Sequence, residues 1–578
     1  MSDQSQDQTQ PAPEAGADPV ARFIAEVAPG TTEGESTRAL RRAVEEFLAF
    51  QVNPQQAEGS AKPKKQKKRK KPKRPVPRVA KGFRDQSPGT LVERRKMIET
   101  VSRVYERYGF TPLETPAIEY VDVLGKFLPE SEEPDGGIFT WKYDDDEWVA
   151  LRYDLTAPLS RYVAKNFQEL GVPFRRYQAG QVWRLEKPEP GRFREFTQLD
   201  IDIVGAGSVL ADAEIVTVLS EAMEALGIER GSYEVRLNDR KVLNGLLEVA
   251  GVQEGQVATV LRALDKLDRL GEAGVRLLLG AGRKDEESGD FTKGAGLEPQ
   301  QIEVLIKFVL TPADGRAAYL SIAGELLGES KVGQEGLAEM RELDEILTER
   351  GIEGDRVVFD PGVVRGLAYY TGPVVEVVLT YPVPEGQKPF GSVAGGGRYD
   401  DLVSRFTGQK VPATGASIGV DRLLDSLKRL GKVEDRAGMC PVLIAMVEKK
   451  YRATYQRWAD QLREAGIPTE LYVGSGGLGK QFKYADRRQF TAVVVAGGNE
   501  IAEDQVSVKD LRQGQELSEV NQVSELASEG ASAEDKAQAA RADRKAWLEA
   551  LPGQVTVAES ELVSTVQGIL DRYRSAPN

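Results

Sequence analysis

The 578-residue chain contains no histidine and a single cysteine, Cys440. Those absences remove whole classes of chemistry. One cysteine cannot close an intrachain disulfide. A His/Cys zinc cluster cannot assemble, and a triad with an imidazole base is impossible. No run of about 18 or more apolar residues occurs and the N-terminus is polar, so neither a membrane span nor a secretory leader is expected. Any chemistry must rest on carboxylates, Arg, Lys, Tyr, Gln and backbone amides, with Mg²⁺ an admissible companion.

An excess of positive charge is missing as well, because the formal net charge is −13. That figure averages a divided chain. Residues 61–78, AKPKKQKKRKKPKRPVPR, carry eleven Lys or Arg and no acid. Setting those aside leaves −24 on the remainder, so nucleic-acid contacts outside the run would be local patches. The run has no apolar periodicity and several prolines and is expected to be disordered. It reads first as a solubilising linker and second as a tether for nucleic-acid phosphates; a nuclear-localisation signal is a third reading.

The chain is too long for one core, and 40% of it is hydrophobic, which predicts two or three domains with flanking tails. Residues 1–80 form an N-terminal extension, with a short amphipathic helix between Arg38 and Phe50. Order begins near Lys81. A helix is expected over Val92–Tyr108, where Ile98, Val101, Tyr105 and Tyr108 recur at helical spacing, and Gly109 stops it. Residues 148–163 read as a short strand and a Thr-Ala-Pro helix start. Strands are predicted at 174–184, 196–204, 373–380 and 391–398, and a helix at 206–230. Residues 231–350, rich in Leu and Ala, read as a mainly helical insertion. From Cys440 onward, PVLIAMV, TELYV, TAVVVAG and QVSVKDL alternate with helices in a compact α/β unit over 438–515. Residues 516–578 form a C-terminal extension with one helix ending at Tyr573.

Chemistry shows through in five segments. In FTQLDIDIV, alternation sends Thr197, Leu199, Ile201 and Ile203 to one side and Phe196, Gln198, Asp200 and Asp202 to the other. The two carboxylates are then about 7 Å apart. Such a face either holds an ammonium and a ring N–H or is the solvated side of a half-buried strand. QVWRLEKPEPGRFREF reads as a long hairpin, with Arg184 and Glu186 on one arm and Arg192 and Arg194 on the return. Those arginines either grip phosphate or pair across the strands. VVRGLAYYTGPVVEVVL sets Arg365 before a Tyr pair, Tyr369 and Tyr370, that points to opposite sides if extended. GSVAGGGRYDDLV removes side chains from three consecutive positions, which suits either ligand approach or a structural bend. TGASIGVDRLLDSL places Arg422 in the first turn of a helix, against the dipole preference, so either an anion or a salt bridge accounts for it.

Taken in order, FRDQSPGT, TPLETPAIE, LRYDLTAPLSR, VWRLEKPEPGRFREFTQLDIDIVG, VVRGLAYYTG, GGGRYDDL and GASIGVDRL closely resemble the histidyl-tRNA synthetase family, from about Lys81 to Leu430. YVGSGGLGKQFKYADRRQFTAVVVAG resembles that family's anticodon-binding domain and extends the likeness to about Arg512. The resemblance implies an α/β fold: a class II catalytic domain with an antiparallel sheet in two parts, 81–230 and 351–432. The helical insertion (231–350) lies between them, and the C-terminal α/β anticodon-binding domain (438–515) follows.

The resemblance also implies the roles. Pro116 belongs to a motif that builds an obligate homodimer. Arg184 contacts the ATP α-phosphate, Arg422 the γ-phosphate, Glu186 helps place adenine, and Arg194 joins the ATP site. Arg365 lies against the reacting carboxylate and α-phosphate. Asp154, Thr156, Gln198 and Asp202 hold histidine's polar atoms; Tyr369 or Tyr370 shapes the imidazole site, the family favouring Tyr370. Arg365, Arg184 and Gln198 are the catalytic set; no resident metal is expected, Mg²⁺ accompanying ATP. Partners are L-histidine, ATP and histidine tRNA, and the location is cytoplasmic. The rival reading is a non-ligating, synthetase-like regulatory subunit of histidine biosynthesis; such paralogues usually lack the C-terminal domain.

Three departures from the family pattern stand out. Ala368 replaces an acid common in relatives, and Thr197 replaces a histidine but is expected to point away from the pocket. Glu189 places negative charge at the hairpin tip, which disfavours phosphate contact and suggests that the extra 5′ guanosine typical of histidine tRNA is dispensable. An average composition would give roughly a dozen histidines in such a chain; their absence fits either synthesis that continues when charged histidine tRNA is scarce or deliberate depletion.

Overall fold

The computed structural model describes residues 75–124, 137–144, 147–188, 191–284, 289–310, 315–364, 370–383, 390–433, 440–513 and 553–574. The basic run up to residue 74 and the expected helix at Arg38–Phe50 lie outside the described residues.

The first long helix, Pro88–Arg107, starts four residues earlier than apolar periodicity predicts. Ser87 caps it by accepting from the Thr90 amide, and Pro88 occupies a first-turn position whose amide needs no partner. The strands follow in chain order: β1 (Thr111–Pro112), β2 (Ile118–Tyr120), β3 (Thr140–Lys142), β4 (Trp148–Leu151), β5 (Phe174–Trp183), β6 (Glu195–Val204), β7 (Tyr233–Asp239), β8 (Gly282–Lys284), β9 (Phe291–Lys293), β10 (Val357–Phe359), β11 (Pro373–Leu379), β12 (Ser392–Arg398) and β13 (Ala413–Gly419). Eight of them form one sheet in the order β1-β5-β6-β13-β12-β11-β7-β10. Its six inner strands are antiparallel neighbours, and only the edge pairs β1/β5 and β10/β7 are parallel.

Leu199, Ile201 and Ile203 on β6 bury completely beneath helices Pro88–Arg107 and Val209–Ala225. That leaves the other β6 face to the site. The insertion begins later than residue 231, because β7 is a strand of the main sheet, paired to β11 and β10. Its run YEVRLND alternates at period two, but its neighbours in sequence are helix formers and hide it. From Arg240 the chain is mainly helical to Glu349, with one hairpin, β8/β9. These helices share a continuous apolar core with the sheet. Helix Lys331–Glu349 crosses helix Arg240–Val249 at backbone contact, since a Cβ on Gly245 would lie 2.4 Å from the Gly333 Cα.

The C-terminal unit is a second sheet of β14 (Val442–Ile444), β15 (Thr469–Leu471), β16 (Ala492–Val495), β17 (Gln505–Asp510) and β18 (Gln554–Ala558), ordered β15-β14-β16-β17-β18. The expected boundary at 515 omits part of this unit. β18 completes the sheet, and helix Leu562–Arg574 buries Leu562, Val566, Ile569 and Leu570 in its core. A polar, Ala- and Glu-rich stretch separates those elements from β17 in sequence, so neither pattern nor composition joins them.

The glycines of β12 are a packing requirement. A Cβ on Gly396 would lie 2.1 Å from the Gly415 carbonyl oxygen and 2.5 Å from the Ala416 Cα on β13. Gly396→Ala should therefore destabilise the chain by about 1–3 kcal/mol, read as a lowered urea midpoint with unchanged slope.

Candidate active site

The open face of β6 and its neighbours enclose a cleft of about 700 Å³. β6 contributes Phe196, Gln198 and Asp200, and the loop before the Thr156 helix contributes Tyr153 and Asp154. The 184–194 hairpin supplies Arg184, Glu186, Arg192 and Phe193; β12 supplies Gly395 and Gly396; β13 supplies Ser417, and the helix Val420–Arg429 that follows it supplies Asp421 and Arg422. Tyr370 and Thr156 also line it. Asp265, at a corner of the helical insertion, reaches the same cleft.

The acidic side of the cleft is built over a buried cation. Arg176 on β5 stands opposite Asp202 and is wholly buried, its Nη2 2.8 Å from Asp202 Oδ2. It also donates to the Leu155 carbonyl at 3.1 Å. Burial pushes the Asp200 and Asp202 carboxyls up, and Arg176 pulls both back. Tyr399 donates its hydroxyl to Asp202 Oδ1. Asp154 is also raised by burial, offset by the Ala157 amide it caps at 3.0 Å. Gln198 donates to the Ser417 hydroxyl at 2.6 Å, which fixes its amide and leaves its Oε1 buried without a partner. Asp200 Oδ1 is likewise buried and unpartnered. Two unsatisfied acceptors beside a cleft are costly unless a donor arrives.

The cationic side is also held in place. Arg184 donates to the Tyr153 carbonyl at 3.1 Å, and its guanidinium lies 5.3 Å from the centroid of the Phe196 ring. Arg422 donates to the Ser392 carbonyl at 2.9 Å.

The structure brings together Arg184, Glu186, Gln198, Asp154, Thr156, Tyr370 and Arg422. Asp202 and Arg194 do not line the cleft. Asp202 shares a face with Asp200, as alternation requires, but its carboxylate sits over Gly415, where a Cβ would lie 2.1 Å from Oδ1. There it is engaged by Arg176 and Tyr399, one layer below the cavity. Arg194 turns outward and donates to the Glu186 and Lys81 carbonyls. Arg365, Tyr369, Ala368 and Glu189 lie outside the described residues. Thr197 faces away from the cleft, its hydroxyl accepting from Arg94 at 3.4 Å. Phe193, Ser417 and Asp265 are not anticipated from the sequence, which places Asp200, Phe196 and Arg192 on the candidate face and hairpin without a role at the site. The β6 alternation held the signal for Phe196 and Asp200, and the hairpin pattern held it for Arg192.

Residues 82–423 match the histidyl-tRNA synthetase family model, more than half of the chain. The chain belongs to the histidyl-tRNA synthetase family. Residues 441–529 match the anticodon binding domain model. The chain is 49% identical over 502 residues to a histidine–tRNA ligase of Cereibacter sphaeroides, covering 85% of this chain and 97% of that one. It is also 49% identical over 504 residues to one of Rhizobium meliloti, covering 85% and 95%. A solved histidyl-tRNA synthetase from Nostoc sp. PCC 7120 superposes with a TM-score of 0.64 at 29% identity, covering 86% of this chain and all of that one. An ATP phosphoribosyltransferase regulatory subunit/histidyl-tRNA synthetase from Bacillus halodurans, with a TM-score of 0.55 at 24% identity, shares the fold. The mixed α/β catalytic domain and the C-terminal anticodon-binding domain are the architecture of this family.

Arg176 carries the acidic side of this synthetase site. Arg176→Met should cost about 3–5 kcal/mol, as breaking a buried ion pair on one side does. Adding Asp202→Asn should restore part of that loss, both read from urea denaturation.

Proposed function

We infer that this chain is an ATP-dependent histidine–tRNA ligase working through a histidyl-adenylate, and we propose how its residues divide the task. One observation carries the reading furthest. A single cleft combines buried, donor-seeking oxygens on Gln198 and Asp200 with the guanidinium groups of Arg184 and Arg422. An amino acid and a nucleoside triphosphate need those two kinds of partner.

Histidine's ammonium and ring N–H meet Asp200, Gln198 and Asp154, with Thr156 beside them and Tyr370 shaping the ring site. Arg184 takes the α-phosphate and Arg422 the γ-phosphate. Phe196, beneath Arg184, and Glu186 receive adenine. Arg194 has no part at the nucleotide in this reading, and Asp202 acts from below through Arg176. The resemblance assigns Arg365 to the reacting carboxylate and α-phosphate, and we retain that role.

The carboxylate oxygen of histidine forms a bond to the α-phosphorus as the bond to pyrophosphate breaks. The terminal ribose hydroxyl of histidine tRNA then attacks the acyl carbon, AMP leaves, and its phosphate takes the proton. No protein nucleophile is needed, so catalysis is positioning and charge stabilisation. Mg²⁺ enters with the ATP phosphates as part of the substrate. Among the described residues, no group of three or more potential ligating side chains converges to hold a metal of its own.

A homodimer and a cytoplasmic location complete the proposal. The three-stranded sheet of β2, β4 and β3 turns Ile118, Tyr120 and Trp141 outward on one face, and Tyr143 just beyond it is exposed too. This apolar face adjoins Pro116 and suits a second copy of the chain. Among the described residues, no helix is long and apolar enough to cross a membrane.

ATP–pyrophosphate exchange, run with each of the twenty amino acids and no tRNA, should respond to histidine alone. Exchange with none of them would favour the regulatory reading. Asp200→Asn should raise the KM for histidine roughly 30-fold, matching a lost charge pair of about 2 kcal/mol, and leave the KM for ATP within about threefold. The same carboxyl is neutral on the acid side of its raised pKa and then cannot pair with an ammonium. The wild-type histidine KM should therefore rise on acidification, and the variant should lose that component. Light scattering should give the mass of a dimer, which Trp141→Lys should shift to monomer.

A further inference from the structure

The segment Lys81–Arg84 lies against the outside of the 184–194 hairpin. Gly82, at φ 87°, approaches so closely that a Cβ would meet Arg194 Cγ and Cδ at 2.7 Å and Pro188 Cγ at 3.0 Å. Its carbonyl accepts from the Arg194 amide at 2.8 Å, and the Lys81 carbonyl accepts from the Arg194 side chain. Arg194 in turn donates to the Glu186 carbonyl, tying the return arm to the outgoing one.

Two residues on, the Arg84 guanidinium lies 3.7 Å from the centroid of the Phe193 ring, a stacking distance. It also donates to Asp421 Oδ1 at 3.1 Å, where Asp421 is nearly inaccessible to solvent. Asp421 accepts from the Thr197 amide at 2.6 Å, and Arg94 stands 3.8 Å away. Phe193 and Asp421 line the cleft; Arg84 does not. Asp421 is the immediate neighbour of Arg422, and Phe193 of Arg192. One guanidinium thus touches the residue beside each of two cleft arginines, Arg192 and Arg422.

We propose that Lys81–Arg84 is a clasp for the hairpin and that Arg84 is a positioning residue for the nucleotide end of the site. It joins Phe193 on the hairpin to Asp421 at the head of the Arg422 helix and so fixes the spacing of the groups that receive ATP. Gly82 supplies the close approach, and Arg194 spends its side chain on the clasp instead of on phosphate. The inference rests on the ligase reading, since it presumes ATP in this cleft. Histidine's partners, Asp154, Gln198 and Asp200, are held by Ser417, Arg176 and the Ala157 amide, and the clasp reaches their strand through the Asp421 bond to the Thr197 amide. Loosening the clasp therefore acts first on the ATP side of the cleft.

The experiment is histidine-dependent pyrophosphate exchange on the full chain carrying Arg84→Met or Arg84→Lys, with histidine binding measured separately by calorimetry without ATP. Arg84→Met should raise the KM for ATP on the order of ten- to hundredfold while histidine affinity stays within about twofold. Arg84→Lys, which retains the charge opposite Asp421, should recover part of the loss. An unchanged ATP KM, or equal losses for both substrates, would overturn the clasp. Hydrogen exchange on the unmodified enzyme gives a test that does not depend on how the variants fold. Adding ATP should protect residues 81–84 and 191–196 together, and protection of the hairpin alone overturns the proposal. Wild-type exchange without histidine specificity would instead sink the ligase reading itself.

Discussion

On β5, one strand in from the edge of the main sheet, a guanidinium with no solvent exposure sits beneath two buried carboxylates. Arg176 contacts Asp202 directly and acts on Asp200 through space. Taking three charges out of water is expensive, and an apolar trio of similar volume would be at least as stable. The arrangement follows from what the cleft must receive. A carboxylate alone in that position would be neutralised by burial; Arg176 pulls it back toward the charged state. The neighbouring groups then follow as requirements: Tyr399 to satisfy Asp202, Gly415 to leave room for its carboxylate, and Ser417 to orient Gln198 beside it.

The small residues of β12 and β13 belong to the same constraint. The carboxylate layer needs depth above the sheet, and Gly415 provides it for Asp202. Gly396 answers a different demand, the approach of the β13 backbone, although it also lines the cleft. Strands with so little side chain are intrinsically weak. They are stabilised by pairing on both edges, with β13 held between β6 and β12, and by the helix-side core residues Ala416 and Ile418. A polar cleft is thus supported by the apolar face of the strands that form it.

Much of this was legible in the sequence, and the failures have physical causes. Alternation in FTQLDIDIV identified the face of β6 correctly, because half-burial imposes a period of two. It could not rank Asp200 above Asp202, because depth along a strand depends on its neighbours across the sheet, here a glycine on β13 and an arginine on β5. The hairpin position of Arg194 leaves phosphate contact and cross-strand pairing open, and only the family resemblance puts it at ATP. Its direction is set by Gly82, more than a hundred residues earlier. The strand β7 hid in a helical neighbourhood, and β18 lay beyond a long polar stretch. In each case the deciding contact is distant in sequence, and a local pattern carries no record of it.

The missing histidines can be weighed in the same terms. One departure from the family pattern, which has histidine there, is Thr197, on the helix-facing side of β6. There a hydroxyl accepts from Arg94 while the backbone amide donates to Asp421. An imidazole in that place would have to present an acceptor nitrogen to a guanidinium and would lose that acceptor on protonation. A hydroxyl does the same work without titrating near neutral pH. The cleft itself has no vacancy for an imidazole base, because adenylate formation and acyl transfer demand charge at fixed positions and not proton relay through the protein. The absence of histidine is therefore compatible with this chemistry, and at position 197 a hydroxyl keeps the network around Asp421 free of a group that changes charge in the working pH range.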